Sequence, residues 1–236
     1  MSAPPTLLIS AGPGAVLFDL DGTLADTDPL HARAWQLLTR SRFGLSFTWA
    51  DYRNACIVEG MSPADFLLRL GADVRSAELQ AAKTCIFRRL LRHELRLAPG
   101  AETFLAHILT AGIAVAIVSS GSRGSVDAFL DTLWPGAPPA VSVSREDTTH
   151  HKPHPEPYLF ALAQLSRSPA DCLAIEDTDR GVLSARRAGL RAVKVADGDV
   201  PAVSEADIVV ASLADLSVLS DGCGGLIITK AEAPGR

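Results

Sequence analysis

The stretch Ala15–Leu24, AVLFDLDGTL, places a short apolar run directly before an acidic turn. The consecutive apolar residues from Ala15 to Phe18 are typical of a strand that is buried on both faces of a parallel sheet. Ligands of open α/β sheets bind outside the carboxyl ends of the strands, so Asp19 and Asp21 are candidates for a functional site. Taken alone, Asp21-Gly22 is equally typical of an ordinary turn. Residues elsewhere in the chain are needed to distinguish a functional site from an ordinary turn.

Apolar runs and helical stretches alternate along the chain. Further runs of strand length lie at Ile113–Val118, Ala140–Val143, Cys172–Ile175, Arg191–Val195 and Asp207–Val210. Helical stretches separate them, at Ala101–Thr110, Arg123–Leu133, Pro155–Leu165 and Asp179–Ala188. This alternation predicts an α/β fold with a Rossmann-like parallel sheet that is covered by helices on both faces.

One long segment, residues 28–98, breaks the alternation because it has helical periodicity and no strand pattern. Asp28 is a predicted N-cap with Pro29 in the first turn, and Ser62 and Ser76 repeat the helix-start signal. We therefore predict an all-helical domain inserted into the α/β core. The predicted organisation is a flexible leader at 1–14, a core at 15–27 and 99–219, a helical cap at 28–98 and a tail of unknown structure at 220–236.

The composition excludes several classes of partner. The chain of 236 residues has 22 Lys and Arg against 27 Asp and Glu, a net charge of -5, which gives no electrostatic footprint for nucleic acid or an anionic membrane. No apolar run approaches the length of a membrane span. The cysteines, Cys56, Cys85, Cys172 and Cys223, lack metal-type or redox-type spacing, and we interpret them as reduced thiols. We expect a cytoplasmic monomer whose partner is a small molecule.

Chemically active side chains follow four of the predicted strands. They are Asp19 and Asp21 after the first, Ser119 and Ser120 after the second, Lys152 in a loop after the third, and Glu176 and Asp177 after the fourth. Two unit charges 4 Å apart repel by about 4 kcal/mol at an effective dielectric of about 20, so clustered carboxylates would destabilise the fold without a cation. Hard oxygen ligands beside a phosphate favour Mg²⁺. The pattern predicts a site for a metal ion and a phosphate together, with Lys152 and Ser119 on the phosphoryl oxygens.

The same residues resemble the four motifs of the haloacid dehalogenase superfamily. DLDGTL at Asp19–Leu24 resembles the first motif and Ser119 the second; Lys152 in HKPHPEPY resembles the third, and Glu176-Asp177 in IEDTDRGVLSARRAG the fourth. Order and spacing agree from Gly14 to about Leu216. The helical insert resembles the cap of the β-phosphoglucomutase-like branch, which includes many sugar-phosphate phosphatases.

This resemblance implies a role for each motif residue. Asp19 is implied as the nucleophile that forms an aspartyl phosphate, and Asp21 as the general acid and base. Ser119, Ser120 and Lys152 are implied as phosphate ligands. The implied Mg²⁺ ligands are Asp19, the main-chain carbonyl of Asp21, Asp177 and Glu176, the last directly or through water.

The cap residues resemble those of the β-phosphoglucomutase-like branch less closely than the motif residues do. His31, Trp35 and Lys83 lie where the branch carries substrate contacts, although Trp35 is equally expected to fill the cap core. Pro63 stands where the mutase of this branch carries a phosphate-binding arginine, and His151 replaces the usual glycine before the motif lysine. The histidines His150, His151 and His154 crowd one loop, but we do not expect zinc there, because no acidic or thiolate partner stands at ligand spacing.

The sequence therefore favours a magnesium-dependent phosphatase of a small phosphorylated metabolite, a sugar phosphate in the first instance. The alternative is a phosphosugar mutase of the β-phosphoglucomutase type, against which Pro63 argues. A dehalogenase is disfavoured by Asp21, and a phosphonate hydrolase by the context of Lys83. A catalytically inactive sensor of a phosphometabolite is disfavoured because every motif position is intact.

Overall fold

The structure, a computed structural model, describes residues 6–9, 14–134, 138–196, 205–223 and 225–231. Its strands are β1 (Thr6–Ile9), β2 (Ala15–Phe18), β3 (Ala114–Val118), β4 (Val141–Val143), β5 (Cys172–Glu176), β6 (Arg191–Val195), β7 (Ile208–Val210), β8 (Leu216–Ser220) and β9 (Leu226–Lys230). Its α-helices are α1 (Asp28–Phe43), α2 (Trp49–Tyr52), α3 (Pro63–Arg69), α4 (Ala77–Glu94), α5 (Ala101–Thr110), α6 (Arg123–Leu133), α7 (Glu156–Leu165) and α8 (Asp179–Arg187).

The central sheet confirms the predicted fold class. It has six strands in the order β4-β3-β2-β5-β6-β7, and every pairing in it is parallel. The order doubles back beside β2, whose residue Phe18 pairs with Ile117 of β3 and with Ile175 of β5. This topology brings the carboxyl ends of β2, β3 and β5 next to one another.

Burial on both faces explains why the central strands are continuously apolar. All four residues of β2 are buried, and alternate side chains point to opposite faces of the sheet. Leu17 shares a core cluster with Tyr158 of α7 and Val182 of α8. On the other face, Phe18 makes an edge-to-face contact with Phe104 of α5, with ring centroids 5.9 Å apart.

The chain divides into two compact units. One takes in residues 27–95 and a segment that begins at Gly124, and the other takes in the remaining described residues. The predicted core, at 15–27 and 99–219, includes all of α6, whereas α6 clusters with the helical unit from Gly124 onward. Between residues 27 and 95, all of which are described, the chain has helices and no strand.

Caps and packing account for the helical unit. The hydroxyls of Ser62 and Ser76 accept hydrogen bonds from main-chain N–H groups in the first turns of α3 and α4, as predicted. The prediction for α1 was one residue late, because Thr27 is the N-cap and Asp28 is the first residue of the helix. The core of the unit is formed by Ala32, Trp35, Leu38, Tyr52, Phe66, Leu67, Ala72 and Val74.

Both chain ends contribute to a second sheet, and this corrects the predicted flexible leader. Strand β1, within the leader, pairs with β9 in the tail, and β9 pairs with β8; both pairings are antiparallel. Leu7 and Ile9 of β1 are buried while Thr6 and Leu8 are exposed, as expected for a strand with one face on the core. The rest of the leader, apart from Gly14, lies outside the described residues.

Two further expectations concern the whole chain. Among the described residues, no helix combines the length and the apolarity that crossing a bilayer requires. The four cysteines all lie in the described part and form no disulfide there.

Candidate active site

The carboxylates predicted from separate stretches of sequence converge at the carboxyl end of the sheet. Ligand oxygens of Asp19, Glu176 and Asp177 all lie within 4.8 Å of one another. Asp19 directly follows β2, and its main-chain N–H donates to the carbonyl of Ile175 on β5, with N and O 2.9 Å apart. This bond holds the end of β2 against the end of β5, which presents Glu176 and Asp177.

Two glycines allow the carboxylates to lie close to the main chain. A Cβ on Gly22, whose φ is +81°, would lie 2.3 Å from Oδ2 of Asp177. A Cβ on Gly181, in the first turn of α8, would lie 1.8 Å from Oε2 of Glu176. Both approaches are far shorter than van der Waals contact, so only glycine fits at either position while the carboxylates stay in place.

The ammonium of Lys152 lies among these acidic groups. Its Nζ is 2.6 Å from Oδ1 of Asp19, 2.5 Å from Oε1 of Glu176 and 2.6 Å from the carbonyl oxygen of Val118. The side chain is 6% exposed. Because an ammonium has three N–H donors, these contacts can engage all of them. Lys152 therefore links the ends of β2, β3 and β5.

The pKa values of Asp19 and Lys152 are both raised, for different physical reasons. Burial raises the pKa of Asp19 well above its ordinary value, and the nearby Glu176, Asp177 and Asp21 raise it further, although Lys152 lowers it. Burial by itself would lower the pKa of Lys152, but the carboxylates of Asp19 and Glu176 outweigh it and raise that pKa. Lys152 is thus a fixed positive charge, and Asp19 needs more positive charge nearby to be stably ionised.

Tyr158 is a member of this cluster that the sequence did not reveal. Its hydroxyl donates to Oε1 of Glu176 over 2.6 Å, and its ring centroid lies 5.3 Å from Nζ of Lys152. The residue is fully buried in α7. In the sequence it has the spacing of an ordinary core position, and only its place in the motif around Lys152 could have marked it.

Helix α8 holds the loop that carries Lys152. Arg180 donates to the carbonyl of Lys152 over 2.8 Å, Arg187 to that of Pro153 over 3.2 Å, and Ser184 to that of His154 over 2.6 Å. Consecutive carbonyls of one loop are therefore bonded to one helix. The helix that follows the acidic motif thus also fixes the loop of the lysine motif. The spacing of the two motifs in the sequence did not indicate this contact.

The serines after β3 differ in their placement. Ser119 is buried; its N–H donates to the carbonyl of Val143, and its Oγ accepts from the N–H of Gly121 over 2.9 Å. The hydroxyl hydrogen of Ser119 remains available to donate to a bound anion. Ser120 has an exposed side chain, and its carbonyl accepts a hydrogen bond from Arg145. Asp21, the predicted general acid, is partly exposed beside Asp19.

Comparison with known proteins decides the family. The sequence profile described as haloacid dehalogenase-like hydrolase matches residues 13–189. Hexitol phosphatase A of Escherichia coli (strain K12) is 35% identical over 220 residues, which are 90% of this chain and 97% of that protein. Protein CbbY of Rhodobacter capsulatus is 34% identical over 76% of this chain and 83% of its own length. The chain belongs to the haloacid dehalogenase-like hydrolase family.

Solved structures agree with this assignment. CbbY from Rhodobacter sphaeroides, in complex with phosphate, has a TM-score of 0.73 at 28% identity, over 85% of this chain and 95% of that one. The predicted family and its sugar-phosphate phosphatase branch are confirmed, and this haloacid dehalogenase-like hydrolase is a phosphoric monoester hydrolase.

The donor set of this hydrolase fits the Mg²⁺ that its family implies. Asp19, Glu176 and Asp177 offer the hard oxygen ligands that Mg²⁺ prefers. Oε2 of Glu176 is buried and has no hydrogen-bond partner among the described residues. An unpartnered carboxylate oxygen is costly inside a protein, and a cation nearby would remove that cost.

The cap residues predicted for substrate contact lie near one another within the helical unit. Nζ of Lys83 lies 2.6 Å from Nδ1 of His31 and donates to Oγ of Ser125 over 3.3 Å. His31 stacks on Phe87, with ring centroids 3.9 Å apart. Trp35 is 4% exposed and belongs to the core of the unit, which favours the packing role over substrate contact. His31 and Lys83 thus form one polar pair, and Nζ of Lys83 also lies 5.7 Å from the ring centroid of Trp35.

Proposed function

We propose that this hydrolase is a magnesium-dependent phosphatase of a small phosphorylated polyol or sugar, acting through an aspartyl phosphate on Asp19. The observation that carries the proposal is the convergence of Asp19, Glu176, Asp177 and Lys152 at one end of the sheet. A buried carboxylate beside an ammonium and further carboxylates has the components of phosphoryl transfer, in which positioning and charge neutralisation supply most of the catalysis.

Asp19 and Asp21 divide the chemistry. An oxygen of Asp19 attacks phosphorus and forms a P–O bond, the P–O bond to the substrate breaks, and Asp21 donates its proton to the departing alkoxide. In the second step Asp21 takes a proton from water, the water oxygen attacks phosphorus, and the bond to Asp19 breaks to release inorganic phosphate. Asp19 and Asp21 thereby return to their starting states.

Lys152 and Ser119 hold the phosphoryl group in this proposal. Lys152 bonds to Oδ1 of Asp19, so a phosphoryl oxygen that takes the donor now directed at Glu176 or at the carbonyl of Val118 is placed next to the nucleophile. Ser119 supplies a hydroxyl donor. We assign Ser120 a weaker part, through the main chain, because its side chain is exposed.

The carboxylates of Asp19 and Asp177 and the main-chain carbonyl of Asp21 would hold Mg²⁺, with Glu176 directly or through water. When bound, Mg²⁺ supplies positive charge that neutralises the phosphoryl oxygens as they approach the nucleophile. Tyr158 keeps Glu176 oriented, and Arg180 keeps the main chain of Lys152 in place.

Relatives support the substrate class. They include a hexitol phosphatase and a validoxylamine A 7'-phosphate phosphatase, and CbbY was solved with xylulose-(1,5)bisphosphate. These names share a phosphate ester on a polyhydroxylated carbon skeleton. We propose the same class here, with His31 and Lys83 as the cap residues that contact it.

A phosphate-release panel tests the proposal. Purified protein with Mg²⁺ is given phosphorylated hexitols, hexoses, pentuloses and a non-sugar phosphate ester, and catalytic efficiency is ranked. We expect a polyol or sugar phosphate to rank first. If the non-sugar ester ranks first, the substrate class is wrong, while the phosphatase assignment stands.

The mutase alternative needs its own assay. The protein is incubated with β-glucose 1-phosphate and a trace of bisphosphate primer, and glucose 6-phosphate and free phosphate are both followed. We expect free phosphate to appear faster, since Pro63 lacks the guanidinium of the mutase's cap loop. Glucose 6-phosphate appearing faster would make the chain a mutase.

A further inference from the structure

The loop that carries Lys152 holds a second group of metal-ligating side chains. A ligand atom from each of His150, His154 and Glu156 lies within 4.8 Å of the others. Nδ1 of His150 is 2.6 Å from Oε2 of Glu156; Nδ1 of His154 is 3.9 Å from the same oxygen and accepts the main-chain N–H of Glu156 over 3.2 Å. The two imidazole rings stack, with centroids 4.4 Å apart. These residues belong to the same compact unit as the catalytic carboxylates and are separate from them.

Glu156 supplies an acidic partner for these histidines, whereas the sequence predicted none at ligand spacing and therefore no zinc. Helix α7 begins at Glu156, which turns its carboxylate back toward both histidines. That carboxylate also accepts the main-chain N–H groups of Thr149 and His150, each over 2.9 Å. The partner is therefore held in place by the loop itself.

The ligand types point to one class of ion. Two imidazole nitrogens and one carboxylate oxygen are a set that Zn²⁺ takes with a fourth position left to water, whereas Mg²⁺ prefers oxygen ligands alone. The side chains of His150 and His154 are 62% and 49% exposed, so an ion in solution reaches them directly. Main-chain bonds to Glu156 supply the outer-shell support that such sites use.

We propose that His150, His154 and Glu156 form a surface site for Zn²⁺ or a similar borderline transition-metal ion. Lys152 and Pro153 lie between the two histidines in the chain. An ion bound by both histidines connects the part of the loop before the active-site lysine to the part after it. The bound ion therefore stabilises this loop against opening.

Zinc titration of the metal-free, untagged protein tests the site. The titration is run by calorimetry with excess Mg²⁺ present, so that the catalytic carboxylates are occupied and do not compete for zinc. The variants are His150→Gln and His154→Gln, and the matched control is His151→Gln, an exposed histidine of the same loop outside the cluster. The assay needs no turnover, so its result is independent of the proposed phosphatase activity.

We expect the wild type and the His151→Gln control to bind one equivalent of Zn²⁺ with equal affinity. Loss of a metal ligand exceeds the 10- to 100-fold effect of losing an outer-shell partner, so each cluster variant should bind about a hundredfold more weakly or worse. Zinc should also raise the melting temperature of the wild type and of the control, and not that of the cluster variants. The proposal is overturned if the wild type binds no Zn²⁺ in excess Mg²⁺, or if His154→Gln binds as tightly as the control.

Discussion

The hydroxyl of Tyr158 donates a 2.6 Å hydrogen bond to Oε1 of Glu176, and neither residue has any exposed surface. The same carboxylate oxygen lies 2.5 Å from Nζ of Lys152. Burial raises the pKa of Tyr158 well above its ordinary value, and the charge of Glu176 raises it further, so the phenol keeps its proton and stays a donor. Tyr158 therefore fixes the orientation of an active-site carboxylate from the hydrophobic side of the sheet.

Tyr158→Phe should separate this positioning role from simple packing. The ring is kept and only the hydroxyl is lost, and a hydrogen bond to a charged group contributes about 1.5 to 3 kcal/mol. We expect the free energy of unfolding in urea to fall by about that amount and Mg²⁺ to bind more weakly. A variant that loses stability but keeps wild-type Mg²⁺ affinity would show that the hydroxyl serves the fold alone.

Gly181→Ala should destabilise the protein, although a glycine-to-alanine change within a helix usually stabilises it. In an exposed helix interior this change stabilises by about 1 kcal/mol, because alanine is the better helix former. Here the new methyl group would meet Glu176 at 1.8 Å, so we expect destabilisation by about 1 to 3 kcal/mol and loss of phosphatase activity.

The control for this variant is Gly124→Ala in α6, where the nearest atom is Cγ2 of Thr84 at 3.1 Å, so that a shift of a few tenths of an ångström removes the clash. Urea unfolding should find the control destabilised much less than Gly181→Ala. If the two variants changed stability equally, the close approach of Glu176 to α8 would be wrong.

Much of the fold was predictable because each decisive signal is local. A strand buried on both faces is apolar along nearly all of its length, so β2, β3 and β5, whose one charged residue is the terminal Glu176, stand out in the sequence. Polar residues at the ends of these strands could then be grouped by topology alone. The convergence of Asp19, Asp177 and Lys152 follows from that rule and from the family motifs.

The other features of the fold and of the site could not be predicted, because they depend on contacts between residues that are far apart in the sequence. Strand β1 spans only four residues, and its partner β9 comes at the far end of the chain, so no local pattern announces their pairing. Tyr158 looks like any core residue of a helix until Glu176 is placed beside it. Glu156 reaches His150 only because the loop folds back on the start of α7.

Asp19→Asn should abolish turnover of p-nitrophenyl phosphate and leave the fold intact. The amide has the size of the carboxylate but is a poor nucleophile, so no aspartyl phosphate forms. Circular dichroism should be unchanged. The control is Asp171→Asn, which lies directly before β5 at the opposite end of that strand and should keep full activity. Wild-type turnover by Asp19→Asn would remove the nucleophile from the proposal.

Removal of Mg²⁺ should silence the enzyme and also destabilise it, more at neutral pH than in acid. The raised pKa of Asp19 means that the metal-free folded state holds a proton that the unfolded state has already released, so its stability falls as the pH rises above the ordinary aspartate range. A cation opposes this loss because it favours the ionised carboxylate. Bound at 100 times its dissociation constant, Mg²⁺ should stabilise the protein by about 2.7 kcal/mol.

Thermal unfolding with EDTA and with added Mg²⁺, across a pH series, measures this effect. The rise in melting temperature on adding Mg²⁺ should shrink as the pH falls toward the ordinary aspartate range. In a separate activity assay, Ca²⁺-free buffer with EDTA should give no activity at any pH. A gain from Mg²⁺ that is equal at acid and neutral pH would mean that the ion does not bind at Asp19.

Arg180 and Arg187 form a matched pair on α8 for testing how the loop of Lys152 is held. Both arginines are exposed residues. The bond from Arg180 to the carbonyl of Lys152, over 2.8 Å, is part-buried, whereas the bond from Arg187 to the carbonyl of Pro153, over 3.2 Å, is exposed. A bond from a charged donor contributes about 1.5 to 3 kcal/mol, so Arg180→Ala should lower kcat/KM by about tenfold or more. The exposed bond of Arg187 contributes much less, and Arg187→Ala should stay within about twofold of the wild type. Steady-state kinetics on the best substrate of the panel measures both. Equal losses in the two variants would mean that α8 acts on the loop through general stability, and not through the carbonyl of Lys152.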